Sequence, residues 1–234
     1  MEREILIVPD VHGRDFWLPA LNYQGDVIFL GDYVDPYPQE NITVEEAYQG
    51  WLKIVSFKQQ NPERVTLLIG NHEMQYYNDD FGAGRFSKEY FPKFHEILTA
   101  DATKGLFQIC KQVDHYLFIH AGVTKGWYDR HYDKFKNLGD TLEEQLNKIF
   151  FERMYIFHEA AWKYRGGLDD TGSPLWADYR EFGDETEHFS PGMIQIIGHT
   201  QIMEPEPIIK DNFCLLDNRQ LYLLKNDVIE KYTG

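Results

Sequence analysis

The chain has 234 residues, 43% of them hydrophobic and 26% charged, which fits one large folded domain or two very small ones and excludes disorder as the dominant state. Its net charge of -15, from 38 acidic against 23 basic side chains, weighs against nucleic acid or a membrane surface as a default partner. No apolar run approaches the roughly 20 residues that span a bilayer, and Met1-Glu2-Arg3-Glu4 leads into a strand-like run without the pattern of a secretory leader. Cys110 and Cys214 are far apart in apolar surroundings and read as buried thiols, so a reducing, cytoplasmic setting is expected.

In chain order, the pattern predicts a strand at 4–8, a helix at 15–22, a strand at 27–30, a helix at 43–60, a strand at 65–69 and a helix at 87–100. Thr43, with Glu46 three residues on, has the form of a capping box. A weaker strand at 106–110 and a strand at 116–120 follow, then a long helix at 141–164 that Gly166-Gly167 would end. Strands at 194–197, 213–217 and 221–224, with a weaker one at 228–232, complete the pattern. The β-α-β-α-β rhythm of the first half argues for an α/β fold with parallel pairing. The last forty residues read as an antiparallel meander closing the same domain. The expected organisation is a single domain, 1–234, with a helical and irregular insertion at about 126–191 over the active face.

Five short polar motifs each follow an apolar strand: Pro9-Asp10-Val11-His12-Gly13-Arg14, Gly31-Asp32-Tyr33-Val34-Asp35, Gly70-Asn71-His72-Glu73, His120-Ala121-Gly122 and Gly198-His199-Thr200. Loops at the carboxyl ends of strands line the ligand crevice of an open α/β sheet, so five distant segments would converge there. They would bring together Asp10, His12, Asp32, Asn71, His120 and His199, oxygen and nitrogen donors without a thiolate. Asp10 and His12, two apart, would point the same way on an extended segment. Imidazole mixed with carboxylate suits Mn²⁺, Fe or Zn²⁺ better than Mg²⁺ or Ca²⁺. Six protein ligands exceed what one catalytic ion takes while keeping a position open for water, and two ions sharing a carboxylate account for the count.

In this order, the motifs resemble those of the calcineurin-like metallophosphoesterases. The fuller forms Gly31-Asp-Tyr-Val-Asp35, Gly70-Asn-His-Glu73 and His120-Ala-Gly resemble the serine/threonine phosphatase-like phosphoprotein phosphatase branch, and Ser173-Pro-Leu-Trp176 is similar to its bacterial members. The resemblance implies a four-layer αββα sandwich with two mixed β-sheets flanked by helices. It implies a first metal on Asp10, His12 and Asp32, with Asp32 bridging to a second on Asn71, His120 and His199. It implies His72 as general acid with Asp35 orienting it, a role in which the carboxylate would hold the ring protonated near neutrality. The two ions are expected to be Mn²⁺ first, with Fe, Zn²⁺ or Ni²⁺ as alternatives. The expected activity is hydrolysis of phosphate monoesters by direct attack of a hydroxide bridging the two ions, on a phosphoprotein or a small phosphorylated metabolite.

The sequence departs from the protein-phosphatase pattern twice. Those enzymes carry Arg after Gly-Asp-x-x-Asp, where this chain has Pro36-Tyr37, and Arg before Gly-Asn-His-Glu, where it has Ile69. Arg14, Arg85, Arg165 and Arg180 are the candidate replacements for binding the phosphate, with Arg180 and Arg85 preferred. Other readings are a dinucleotide polyphosphate hydrolase, a metal-binding scaffold without turnover and, against the acidic charge, a nuclease. His95, His115, His131, His158 and His188 read as packed or solvated, Gly82-Ala-Gly84 as a turn, the run 178–187 as a solvated acidic loop, and the stripe Leu142, Leu146, Ile149, Phe150, Met154, Phe157 and Ala161 as core. The oligomeric state is left open by the sequence.

Overall fold

A computed structural model of the chain describes residues 4–81, 84–183, 189–190 and 192–234. Three sequence expectations fall partly or wholly outside these residues: the leader reading at 1–3, the turn at 82–83, and the acidic stretch 184–187 with His188. The strands are β1 (Ile5–Val8), β2 (Asp26–Phe29), β3 (Val65–Leu68), β4 (Phe107–Gln108), β5 (Cys110–Val113), β6 (Tyr116–Ile119), β7 (Ile194–Ile197), β8 (Ile208–Ile209), β9 (Phe213–Leu215), β10 (Tyr222–Lys225) and β11 (Val228–Lys231). The α-helices are α1 (Val44–Gln60), α2 (Asn71–Met74), α3 (Phe91–Thr99), α4 (Lys125–Phe135), α5 (Leu142–Glu152) and α6 (Trp162–Arg165). No helix among the described residues is long and apolar enough to cross a membrane. The chain divides into two compact units, one of residues 1–108 with 219–234, the other of residues 109–218.

The first unit carries a mixed sheet in the order β11-β10-β1-β2-β3-β4. β1, β2, β3 and β4 run parallel, and β10 pairs antiparallel with β1 and with β11. β1 is buried at every position, which is why its sequence is a continuous apolar run rather than an alternating one. The connection from β2 to β3 is α1, whose start is fixed by a complete capping box between Thr43 and Glu46. Its buried face carries Trp51, which stacks on Tyr33 at 5.7 Å with an interplanar angle of 8°. That contact ties the helix to the loop after β2.

The second unit carries a mixed sheet in the order β5-β6-β7-β9-β8, with β6, β7 and β9 parallel and β5 and β8 antiparallel to their neighbours. α5 packs on β5 through Asn147, whose Oδ1 accepts from Ile109 N at 2.7 Å and Cys110 N at 3.2 Å. Both cysteines are buried free thiols.

Two sequence expectations are corrected here. The helix expected over 141–164 is broken: α5 stops at Glu152, a 3-10 turn runs over Met154–His158, and α6 begins at Trp162. Arg153 is non-helical (φ -142, ψ 51). Beyond it the backbone carbonyls go to side chains: Trp127 Nε1 donates to Ile156 O at 2.9 Å and Ser173 Oγ to Phe157 O at 2.7 Å. The apolar stripe nevertheless faces inward, with Leu146, Ile149, Phe150, Phe157 and Ala161 fully buried. The last forty residues do not form one meander. β8 and β9 belong to the second unit's sheet, whereas β10 and β11 form a hairpin on the first.

Candidate metal centre and its relatives

In the first unit, three strand ends supply the polar groups: residues 9–14 follow β1, residues 30–35 follow β2, and residues 70–73 follow β3. The loops are bound to one another by backbone. Val11 N and His12 N both donate to Asp32 O, at 3.0 and 2.7 Å, and Gly13 N donates to Tyr33 O at 3.0 Å. The approach of the second and third loops requires glycine. A Cβ on Gly70 would lie 2.1 Å from Asp32 Oδ1. Gly31 has φ +108, and a Cβ there would meet Gly70 N at 2.6 Å.

Asp10, His12, Asp32, Asn71, His72 and Asp35 are all buried in this unit. His12 Nδ1 donates to Val34 O at 2.8 Å, which leaves its Nε2 lone pair facing Asp32 Oδ2 at 3.5 Å and Asp10 Oδ2 at 4.0 Å. Ligand atoms of His12, Asp32 and His72 all lie within 4.8 Å of one another. Asp10 and His12 do not meet through strand periodicity: β1 has ended at Val8, and His12 turns back with φ +46. Asp32 (φ +52) and Asp35 (φ +57) are also left-handed, and such backbone strain persists where surrounding bonds over-determine it.

Burial, reinforced by the neighbouring carboxylates of Asp10 and Glu73, pushes Asp32 well above the ordinary carboxylate range. Burial, then the charges of His72 and Arg85, holds His12 well below the ordinary histidine value. Carboxylates packed together out of water, facing imidazoles kept neutral, form a donor set suited to a divalent cation.

His72 Nδ1 lies 2.7 Å from Asp35 Oδ2, and the same carboxylate accepts from Gln75 Nε2 and from the Tyr76 hydroxyl, both at 2.5 Å. The ring is therefore oriented through Asp35, with Nε2 on the side of His12. The expectation that Asp35 holds His72 protonated near neutrality is corrected: burial outweighs the carboxylate and lowers the ring below its ordinary value.

Glu73 has a part that the sequence reading did not assign. It is fully buried and accepts from Asp32 N at 2.7 Å, Tyr33 N at 2.8 Å and Gly70 N at 2.9 Å. One carboxylate thus clamps the second loop to the third. Burial pushes it up to about 7 despite these bonds. Its place as the last residue of Gly-Asn-His-Glu was the available signal.

In the second unit, residues 120–122 follow β6 and residues 198–200 follow β7. His120 Nε2 and His199 Nδ1 are 3.1 Å apart, and His199 has φ +66. The loops are tied by Gly198 N donating to His120 O at 2.8 Å. Buried Gln195 accepts from Val123 N at 2.7 Å and donates back to Val123 O at 3.2 Å. Ser173-Pro-Leu-Trp176 backs this cluster: Ala121 N donates to Pro174 O at 2.9 Å, and Trp176 meets the His199 ring edge-on at 5.9 Å.

The arginines sort by their partners. Arg14 is bidentate to Glu40, at 2.8 and 3.0 Å. Arg180 is bidentate to Asp178, at 2.6 and 2.9 Å, and half-exposed. Arg165 pairs with Asp178 at 3.2 Å and with Thr200 Oγ1. Arg85 has no carboxylate partner among the described residues. Its Nε donates to Asp35 O at 2.9 Å, and its Nη2 lies 3.0 Å from His72 Nε2 and 3.5 Å from His12 Nε2.

A profile of the family described as Calcineurin-like phosphoesterase matches residues 4–203. The chain belongs to this family. The matched span holds all of the clusters above. A Schizosaccharomyces pombe protein named as a serine/threonine-protein phosphatase is 30% identical over 139 residues, 51% of this chain and 39% of that protein, so the chain spans about two-fifths of this relative's length. A cold-active protein-tyrosine phosphatase of a Shewanella species aligns with a TM-score of 0.59 at 16% identity, over 99% of this chain and 80% of the other. A protein serine/threonine phosphatase of Saccharomyces cerevisiae aligns with a TM-score of 0.55 at 16% identity, over 100% and 80%. At these identities the likeness is one of fold: two mixed sheets flanked by helices.

Proposed function

We propose that the protein is a dinuclear metal-dependent phosphatase that hydrolyses phosphate monoesters without a covalent phosphoenzyme. In this reading Asp10, His12 and Asp32 hold one ion, and Asp32 bridges to a second held by Asn71, His120 and His199. The observation that carries the reading is the buried cluster of His12, Asp32 and His72, with Asp10 beside it and the Asp35–His72 pair at its edge. Two ions would lower the pKa of water and neutralise phosphoryl oxygens, the two obstacles to hydrolysing an anionic ester. Mn²⁺ is the first choice, and Fe, Zn²⁺ or Ni²⁺ share the preference for imidazole and carboxylate.

His72 is the general acid rather than a ligand. Asp35 holds its Nδ1 at 2.7 Å, which leaves Nε2 as the nitrogen that carries and releases the proton. Asp35 fixes the ring and stabilises the imidazolium. In the free site burial favours the neutral ring, and the negative charge of a bound phosphate is what shifts it toward the protonated form. The proton then passes from Nε2 to the leaving oxygen.

The substrate is a phosphoprotein or a small phosphorylated metabolite. Family membership and the name of the Schizosaccharomyces pombe relative support a phosphomonoester. The test is turnover of p-nitrophenyl phosphate by protein stripped of metal and reloaded with Mn²⁺. Turnover that appears on loading and disappears on chelation is expected. Absence of turnover with Mn²⁺, Ni²⁺, Zn²⁺ and Fe alike would favour a scaffold that binds metal without catalysis.

A further inference from the structure

The geometry points to Arg85, held on the ring of Tyr37, as the phosphate anchor of this chain, a device that stands where protein phosphatases use arginines from the two motif loops. It rests on the phosphomonoesterase reading above and gives it a specificity: dianionic monoesters over monoanionic diesters. The Arg85 guanidinium carbon lies 3.9 Å from the centroid of the Tyr37 ring, a close cation–π contact. Its Nη2 is 3.0 Å from His72 Nε2, the atom that must face the leaving oxygen, and its Nε is tied to the Asp35 carbonyl at 2.9 Å. The same Tyr37 ring meets the His12 ring edge-on at 5.1 Å. One half-buried tyrosine thus touches both a proposed metal ligand and the guanidinium.

Tyr37 occupies the position after Pro36 where the sequence lacks the expected arginine. The charge has moved to another loop, and the aromatic ring supplies the platform that brings it back. Arg85 has φ +66, a conformation that a non-glycine residue keeps only when its contacts hold it there. The other candidate guanidinium groups are taken up by Glu40 and Asp178. Arg85 is the one whose charge can be transferred to a ligand without breaking an ion pair among the described residues. Tyr37 is a positioning residue: it fixes the guanidinium and transfers no proton itself. A second negative charge on the phosphoryl group is rewarded by this guanidinium, which is the source of the preference for monoesters.

The test compares wild type with Arg85→Ala, Arg85→Lys, Tyr37→Phe and Tyr37→Leu. Tyr37→Leu keeps apolar bulk against His12 while removing the π face. Metal content, inorganic phosphate affinity by calorimetry on the metal-loaded proteins, and KM and kcat for p-nitrophenyl and bis(p-nitrophenyl) phosphate are measured. Metal content is expected to stay at the wild-type level throughout. Phosphate affinity and monoester KM should worsen by about 10–100-fold in Arg85→Ala, the loss expected of charge-assisted bonds. Arg85→Lys should recover only part, because an ammonium lacks the planar fork. Tyr37→Leu should lose about 2–30-fold and Tyr37→Phe less than about 2-fold, since only the former loses the ring. The monoester-to-diester ratio of kcat/KM should fall in Arg85→Ala and Tyr37→Leu. Unchanged phosphate affinity in Arg85→Ala, equal losses in the Phe and Leu variants, or an unchanged ester ratio would each overturn the inference. If wild type turned over neither ester, the phosphatase reading would fall, and calorimetry with phosphate would still decide the anchor.

Discussion

His72 sits between two demands. Its neighbours keep it within 4.8 Å of His12 and Asp32 ligand atoms, yet Asp35 claims its Nδ1 and Arg85 faces its Nε2. Acid and ligand make different predictions. His72→Asn is expected to leave metal content near that of the wild type and to lower turnover by about 10²–10⁴-fold. Loss of one ion per chain, read by elemental analysis, would make His72 a ligand instead. At this scale the sequence shows which residue types are available but not their surroundings. The gathering of Asp10, His12, Asp32 and Asn71 as buried residues after strand ends was legible because their motifs follow apolar runs. The direction of the His72 shift was not, because it depends on how far burial outweighs one carboxylate. Nor was the part played by Glu73: the motif Gly-Asn-His-Glu marks the residue, but not the backbone N–H groups of Asp32, Tyr33 and Gly70 that it accepts from. Arg85 could be named from the sequence, but proposing it over Arg14 and Arg180 needed their ion pairs.

Elements position the site by handing backbone bonds to a few buried polar side chains. In the second unit Gln195, on β7, holds the loop that begins with His120 through both polar groups of Val123. Gln195→Leu would leave a buried N–H and C=O unpaired, at a cost of about 3 kcal/mol. It is also expected to weaken binding of the second ion while sparing the first, which titration of stripped protein with Mn²⁺ would show as one weakened step. Two equally weakened steps would mean a general loss of fold. Strand existence was readable from apolar runs, as β1, β2, β3, β6 and β7 show. The break after α5 was not, because no glycine or proline marks it: side chains of Trp127 and Ser173 take the carbonyls that helical bonds would use. The division of the last forty residues between sheets was equally unreadable, since register depends on partners far away in the chain.

For the whole molecule the central question is how the proposed metal ions and protons would share the buried carboxylates. In metal-free protein, Asp32 and Glu73 have folded values above their unfolded ones, Glu73 at about 7. Their contribution to stability is therefore complete below about pH 4, the unfolded carboxylate range; that of Glu73 is lost as pH rises through about 7, and that of Asp32 falls with the same sign. His12 and His72 have lowered values, so their contribution has the opposite sign and is lost as pH falls below the ordinary histidine value of 6.5. Metal-free protein should accordingly gain stability between pH 8 and 6.5. On the proposed ligand set Mn²⁺ would compete with protons for Asp32, so its stabilising increment should be larger at pH 8 than at pH 6.5. Thermal unfolding with and without Mn²⁺ across this range checks both signs, and an increment that grows toward pH 6.5 would contradict them. The family and its two mixed sheets were legible from five motifs in order, because each records a loop that must end a strand. The most direct test of the account is anomalous diffraction from crystals soaked in Mn²⁺. Two peaks about 3.5–4 Å apart, both touching the Asp32 carboxylate, are expected. A single peak, or two peaks too far apart to share that carboxylate, would contradict it.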